Sequence, residues 1–197
     1  MKISKILLIT TCLLFGVNIY GQNNVTFGIK AGYQRAGFIN SNSTFLDNNR
    51  FQVGGLVEWE QTPFFALQGE LLFERKGGFL VLFPNSRFRT KIDTKLDYIS
   101  LPVLGKLALV KGVALEAGPQ LGFLIGDSGK VVSDGSDFEL PDTNFIELSV
   151  NAGFRFTVLQ HYFMQIRGNL GLTQVFDGLE DSDHKNVALK VSLGYMF

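Results

Sequence analysis

Apolar side chains recur at every second position in eight separate runs of this chain: 25–34, 51–59, 65–74, 99–108, 113–123, 146–157, 162–171 and 186–197. Period two is the repeat of a β-strand, whose successive side chains point to opposite faces. The last run shows it most cleanly. Val187, Leu189, Val191, Leu193, Tyr195 and Phe197 share one face, and Ala188, Lys190, Ser192, Gly194 and Met196 share the other. Each run is roughly 9–11 residues long, which is what a tilted strand needs to cross a bilayer.

The faces opposite the apolar ones hold the charges of these runs. Lys30, Glu58, Glu70, Lys106, Glu116, Glu147, Arg155, Arg167 and Lys190 all lie on them, among glycines and serines. No charge falls on the apolar face of any run. A soluble eight-stranded barrel of the lipocalin type would have the reverse arrangement, with a greasy lumen and a polar exterior. An uncharged exterior suits lipid, with the ionic residues inside. The pattern therefore predicts an all-β fold, an eight-stranded antiparallel up-and-down transmembrane β-barrel. An even strand count permits closure, and closure leaves no unpaired backbone edge in lipid. Pro102 and Pro119 each lack a ladder donor, so bulges or broken pairing are expected there.

The connections alternate in length. Residues 61–63, 110–112 and 159–161 read as tight turns, whereas 39–50, 75–95, 126–144 and 174–185 read as longer polar loops. Short periplasmic turns and long external loops are the expected asymmetry, with both termini in the periplasm.

The N-terminus fits an exported protein. Lys2 and Lys5 precede an apolar run over residues 6–17 that is too short to span a bilayer, so residues 1–21 are predicted to be a signal peptide cut near Gly21–Gln22. Residues 22–197 would then form the barrel domain. The single cysteine, Cys12, lies in the signal, so the mature chain would have no thiol or disulfide chemistry. Loss of Lys2 and Lys5 leaves 16 basic against 18 acidic side chains, a formal charge of −2, and no nucleic-acid partner is implied. The 22 glycines and 19 phenylalanines suit strands with aromatic-rich faces.

Three stretches resemble the outer-membrane β-barrel domain family that includes PorT-like proteins: 67–77 (LQGELLFERKG), 98–106 (YISLPVLGK) and 116–123 (EAGPQLGF). The terminal strand, with Tyr195 and Phe197 on its apolar face, also looks like the C-terminal insertion signal of outer-membrane barrels. These resemblances imply insertion by the barrel-assembly machinery into a Gram-negative outer membrane. For some PorT-like members they imply a part in protein secretion and gliding. They bring no catalytic residues and no cofactor.

Three candidate sites remain. The inward charges could form a proton or ion path, but an eight-stranded bore is narrow enough for side chains to fill, which favours a structural polar plug. Catalysis would have to use His161, in a turn, or His184, beside Ser182 and Asp183; adjacency in sequence rarely produces triad geometry. Neither histidine has a second ligand at metal-site spacing. The loops are the third candidate. Arg87, Arg89, Lys91 and Lys95 make the second one basic and able to hold lipopolysaccharide phosphates. Residues 79–83 (FLVLF) beside them would extend a hairpin above the membrane or form a sticky edge. The expectation is a non-enzymatic integral outer-membrane barrel in contact with membrane lipid, lipopolysaccharide and a possible protein partner through its loops. The alternatives are an export accessory and a lipid-modifying enzyme.

Overall fold

The computed structural model describes residues 24–40, 43–82, 90–133, 135–140, 142–176 and 184–197. The predicted signal, Arg87, Arg89, Ser182 and Asp183 lie outside the described residues. Among the described residues ten strands form: β1 (Val25–Asn40), β2 (Ser43–Thr62), β3 (Phe65–Lys76), β4 (Phe79–Leu82), β5 (Thr90–Val110), β6 (Val113–Val131), β7 (Asp137–Phe138), β8 (Ile146–Val158), β9 (Tyr162–Gly171) and β10 (Lys185–Met196).

Eight of these strands make a closed antiparallel barrel in the order β1-β2-β3-β5-β6-β8-β9-β10. Closure comes from β10 returning to β1, in register from Gly28↔Met196 to Ile39↔Lys185. The two remaining strands are short additions: β4 pairs with the start of β5, and β7 with the end of β6. Side chains obey the alternation. Ile29, Tyr33, Val53, Leu71, Val103, Leu121, Phe154, Ile166 and Val191 are exposed on the outer wall, while their neighbours Lys30, Gln34, Gln52, Glu70, Leu104, Gln120, Arg155, Arg167 and Lys190 are buried inside.

Aromatic residues cluster at two levels of the wall. At the turn end Tyr195 packs against His161, Tyr162 and Phe197, with centroids 5.6, 5.1 and 5.5 Å away. Near the other end Phe51 meets Phe73 at 5.8 Å, and the Arg75 guanidinium sits 5.5 Å over the Phe51 ring. Amphipathic rings are stable where hydrocarbon gives way to headgroups, so these clusters mark the rims of the lipid-facing band.

Strand lengths depart from the sequence expectation. The expected loop over 39–50 is mostly strand, because β1 runs to Asn40 and β2 starts at Ser43. Most of 75–95 is also strand: Lys91 and Lys95, expected in a basic loop, lie in β5 opposite Val81 and Ser128. The physical reason is that the apolar outer face is needed only inside lipid, whereas ladder hydrogen bonds continue above it. Alternation therefore fades before the strand does. With a rise of about 3.3 Å per residue, the 21-residue β5 far exceeds a band about 25 Å tall, even when tilted. Residues 79–82 extend the hairpin as β4.

The wall bends between β3 and β4. Gly77 has φ 105°, and a Cβ there would lie 2.2 Å from the Thr94 carbonyl oxygen. Thr94 holds the bend, since its hydroxyl accepts from the Gly78 N–H at 3.1 Å and donates to the Gly78 carbonyl at 2.7 Å. Of the expected bulges or broken pairing, the prolines show the second. The β5–β6 ladder lapses between Pro102↔Gln120 and Gly105↔Ala117, yet the register is the same on both sides. Pro119 stays in register opposite Val150. A proline removes one donor, and a one-residue slip would turn every buried charge toward lipid, so the ladder skips a step without slipping.

A closed barrel of this kind keeps its shape in cold detergent. The folded protein is expected to migrate differently from the boiled protein on an SDS gel and to fractionate with membranes. Identical migration of the two samples would contradict the closed ladder.

Candidate functional site

The alternation that puts leucines in lipid puts ionisable groups in the lumen, where they must find partners among its own ionic and polar side chains. All nine ionic residues singled out from the sequence face inward. Seven of them form one network toward the turn end. Glu70 takes both Arg167 terminal nitrogens at 3.0 Å and the Lys30 ammonium at 2.8 Å. Glu116 takes Arg167 at 2.8 Å and pairs with Arg155 Nε at 2.7 Å. Glu58 accepts from Arg155 at 2.8 Å and from Lys106. Amides complete the set: Gln165 accepts from Lys30 at 2.9 Å and donates to Glu116 at 2.5 Å, and Gln68 accepts from Arg155. The Arg155 guanidinium also stacks 4.2 Å from the Phe163 ring centre.

A second network lies above the first. Glu147 pairs with Lys76 at 2.5 Å, and Glu74 accepts from Lys190, from Ser100 at 2.8 Å and from Gln120 at 2.8 Å. Lys76 also lies 3.5 Å from Glu74, joining the two carboxylates. Glu74, on the inward face of the third run, is not among the nine charges singled out from the sequence, and Lys76 falls in the expected loop over 75–95. Glu74 continues the inward row Gln68, Glu70, Leu72, so the signal was present. Lys76 extends it one step further, past the outward Arg75 that had been read as the start of a loop.

Above the ions the lumen is capped by apolar side chains. Phe38, Ile92, Leu96, Tyr98, Val175 and Phe176 form a buried cluster. Val175 and Phe176 come from the segment after β9. A Thr143↔Phe176 bridge, a 2.8 Å bond from the Asn144 N–H to the Val175 carbonyl and a 2.9 Å bond from the Val175 N–H to the His184 carbonyl hold that segment. The His184 ring packs edge-on against Phe38 at 5.7 Å and Phe176 at 6.2 Å. His161, at the opposite end, has Nδ1 3.0 Å from the Met196 carbonyl oxygen. Tyr195 and Phe197, read as an insertion signal, lie in the turn-end aromatic cluster. Lys95 is half-buried in β5, and the side chain of Lys91 is outside the described residues, as are Arg87 and Arg89 entirely.

Residues 13–177 match the family described as the outer membrane protein beta-barrel domain. The chain belongs to this family. It is therefore an integral outer-membrane barrel. Among solved structures it is similar to Ail, the attachment invasion locus protein of Yersinia pestis, with 17% identity, 90% of this chain and 100% of that chain covered and a TM-score of 0.51. It is also similar to Neisserial surface protein A, with 14% identity, 90% and 100% coverage and a TM-score of 0.54. At such identities the likeness concerns the fold alone. No curated protein matches the chain.

Two outcomes follow from the ionic interior. Glu70→Ala strands Arg167 and Lys30, and is expected to destabilise the barrel by about 3–5 kcal/mol in urea titrations from lipid vesicles. Glu70→Leu combined with Arg167→Met removes one charge of each sign, and should cost clearly less than the two single changes added together. The second outcome concerns permeation: in planar bilayers the filled barrel should give no sustained conductance of solute-pore size. Steady passage of a neutral sugar would show that the interior is not a plug.

Proposed function

We propose that the protein is a non-enzymatic outer-membrane barrel that serves as a structural and interaction protein through the end remote from its tight turns. The observation that carries this reading is the strongly unequal wall: β2, β5 and β6 have 20, 21 and 19 residues, while β9 has 10. The surplus raises one side of the barrel above the lipid band, and β4 and β7 widen it. A wall built out beyond the membrane is surface that closure and lipid contact do not require. The filled lumen favours contact over transport, and the packed positions of both histidines favour structure over catalysis.

In this reading residues 1–21 are a cleaved signal, both termini are periplasmic and the barrel-assembly machinery inserts the chain. Arg87, Arg89, Lys91 and Lys95 are the contacts for lipopolysaccharide phosphates, and a protein partner meets the raised wall. The alternative of an export accessory rests on the PorT-like stretches. Those stretches fall on the neighbouring strands β3, β5 and β6 and contain Glu70, Glu74, Ser100, Glu116 and Gln120 of the interior networks. Their likeness is thus accounted for by the wall and its ions.

Single cysteines test the orientation. Ser133→Cys at the raised end is expected to react with a membrane-impermeant maleimide in intact cells, and Gln160→Cys in a tight turn only after permeabilisation; the opposite pattern refutes the reading. Deletion should leave the secreted proteins and the lipid A profile unchanged. Loss of secreted proteins with an intact envelope would favour the export accessory instead.

A further inference from the structure

The turn end of the lumen is filled on one side only. Beneath β2, β9 and β10 the inward side chains Leu56, Phe163 and Met196 pack together. Beneath β3, β5, β6 and β8 the inward positions hold Ala66, Ala108 and Ala114, and a vestibule of about 520 Å3 is left between them. Lys106 and Arg155 line the vestibule where it meets the ionic network. Phe64 and Leu159 give it an apolar wall, and Glu60 and Lys111 add one charge of each sign at its rim.

The charge count of the adjoining network is uneven. Four cations, Lys30, Lys106, Arg155 and Arg167, share three carboxylates, Glu58, Glu70 and Glu116. Glu58 serves both Arg155 and Lys106. A buried charge without a counter-charge is costly, so the surplus is best tolerated where an outside anion can reach it. Lys106 is that place. Its side chain is 17% exposed, against 0–6% for the other six members. An ammonium has three donors, and Lys106 directs one to Glu58.

From this geometry we infer that the vestibule is a binding site for an amphiphilic anion, a carboxylate or phosphate head on a short alkyl chain. The head sits against Lys106 and completes the count of charges, and the chain lies along Phe64 and Leu159. The site is independent of whatever the raised wall contacts.

The test uses the folded barrel in zwitterionic nanodiscs and follows backbone amide shifts during titration with octanoate, octyl phosphate, octanol or inorganic phosphate. Either octyl anion should shift the amides of Lys106, Gly112, Ala114 and Thr157 saturably, while those near Phe38 and Leu96 stay still. Octanoate binding alone would identify a fatty carboxylate as the source, and octyl phosphate alone a phospholipid head. Lys106→Gln should weaken binding by roughly tenfold or more. Ala108→Leu, which occupies the space and keeps every charge, should abolish it and covers the case in which Lys106→Gln does not fold. Octanol binding as well as octanoate, inorganic phosphate binding as well as octyl phosphate, non-saturating shifts, or unchanged binding in Ala108→Leu would each overturn the inference.

Discussion

Inside a bilayer no water is available to take up a backbone N–H or C=O, so a sheet that enters lipid must close. The pairing of β10 with β1 is the step on which the rest of this structure depends. Closure divides space into an outside that must be apolar and an inside that eight strands make narrow. Any ionisable residue in the spanning strands can go only inward, and once inside it must be satisfied by other ionic or polar side chains of the lumen. The polar core follows from the closure of the wall.

That core does the bracing that apolar packing does in a soluble domain. Its ties join strands far apart around the ring: β1 to β3 through Lys30–Glu70, β8 to β2 through Arg155–Glu58, β9 to β3 and β6 through Arg167, and β10 to β3 through Lys190–Glu74. Such pairs are directional, and removing one partner leaves the other stranded, so they specify register as well as adding cohesion. Along the axis the interior changes character, from a half-open vestibule to two ionic layers and then to an apolar cap that includes Val175 and Phe176 from a connection. Exchange with the surroundings is therefore confined to the two ends, and the raised end presents the larger surface.

Much of this was readable before the fold was known. A lipid-facing wall imposes strict period two, and the nine inward charges could be named because each interrupts an otherwise small or polar face. The reading stopped where its signal stopped. Arg75 breaks the apolar face after the third run, so the sequence predicts a loop from there, although the inward row continues to Lys76. Asn48 and Arg50 were lost in the same way, since strands above the membrane keep their hydrogen bonds but no longer need greasy outer faces. The apolar cap had no local signal at all. Phe38, Ile92 and Phe176 are far apart in the chain and look like ordinary loop hydrophobics until the barrel brings them together.

The sequence by itself determined which side of each strand meets lipid and how many strands cross it, because both depend on a local repeat that the solvent enforces residue by residue. Only the tertiary structure decided which carboxylate meets which cation, that three carboxylates must serve four cations beside an open vestibule, and that the wall rises on one side. Those properties depend on register and closure, which pair charged side chains up to 116 positions apart, as in Lys190 and Glu74. No local repeat carries that information.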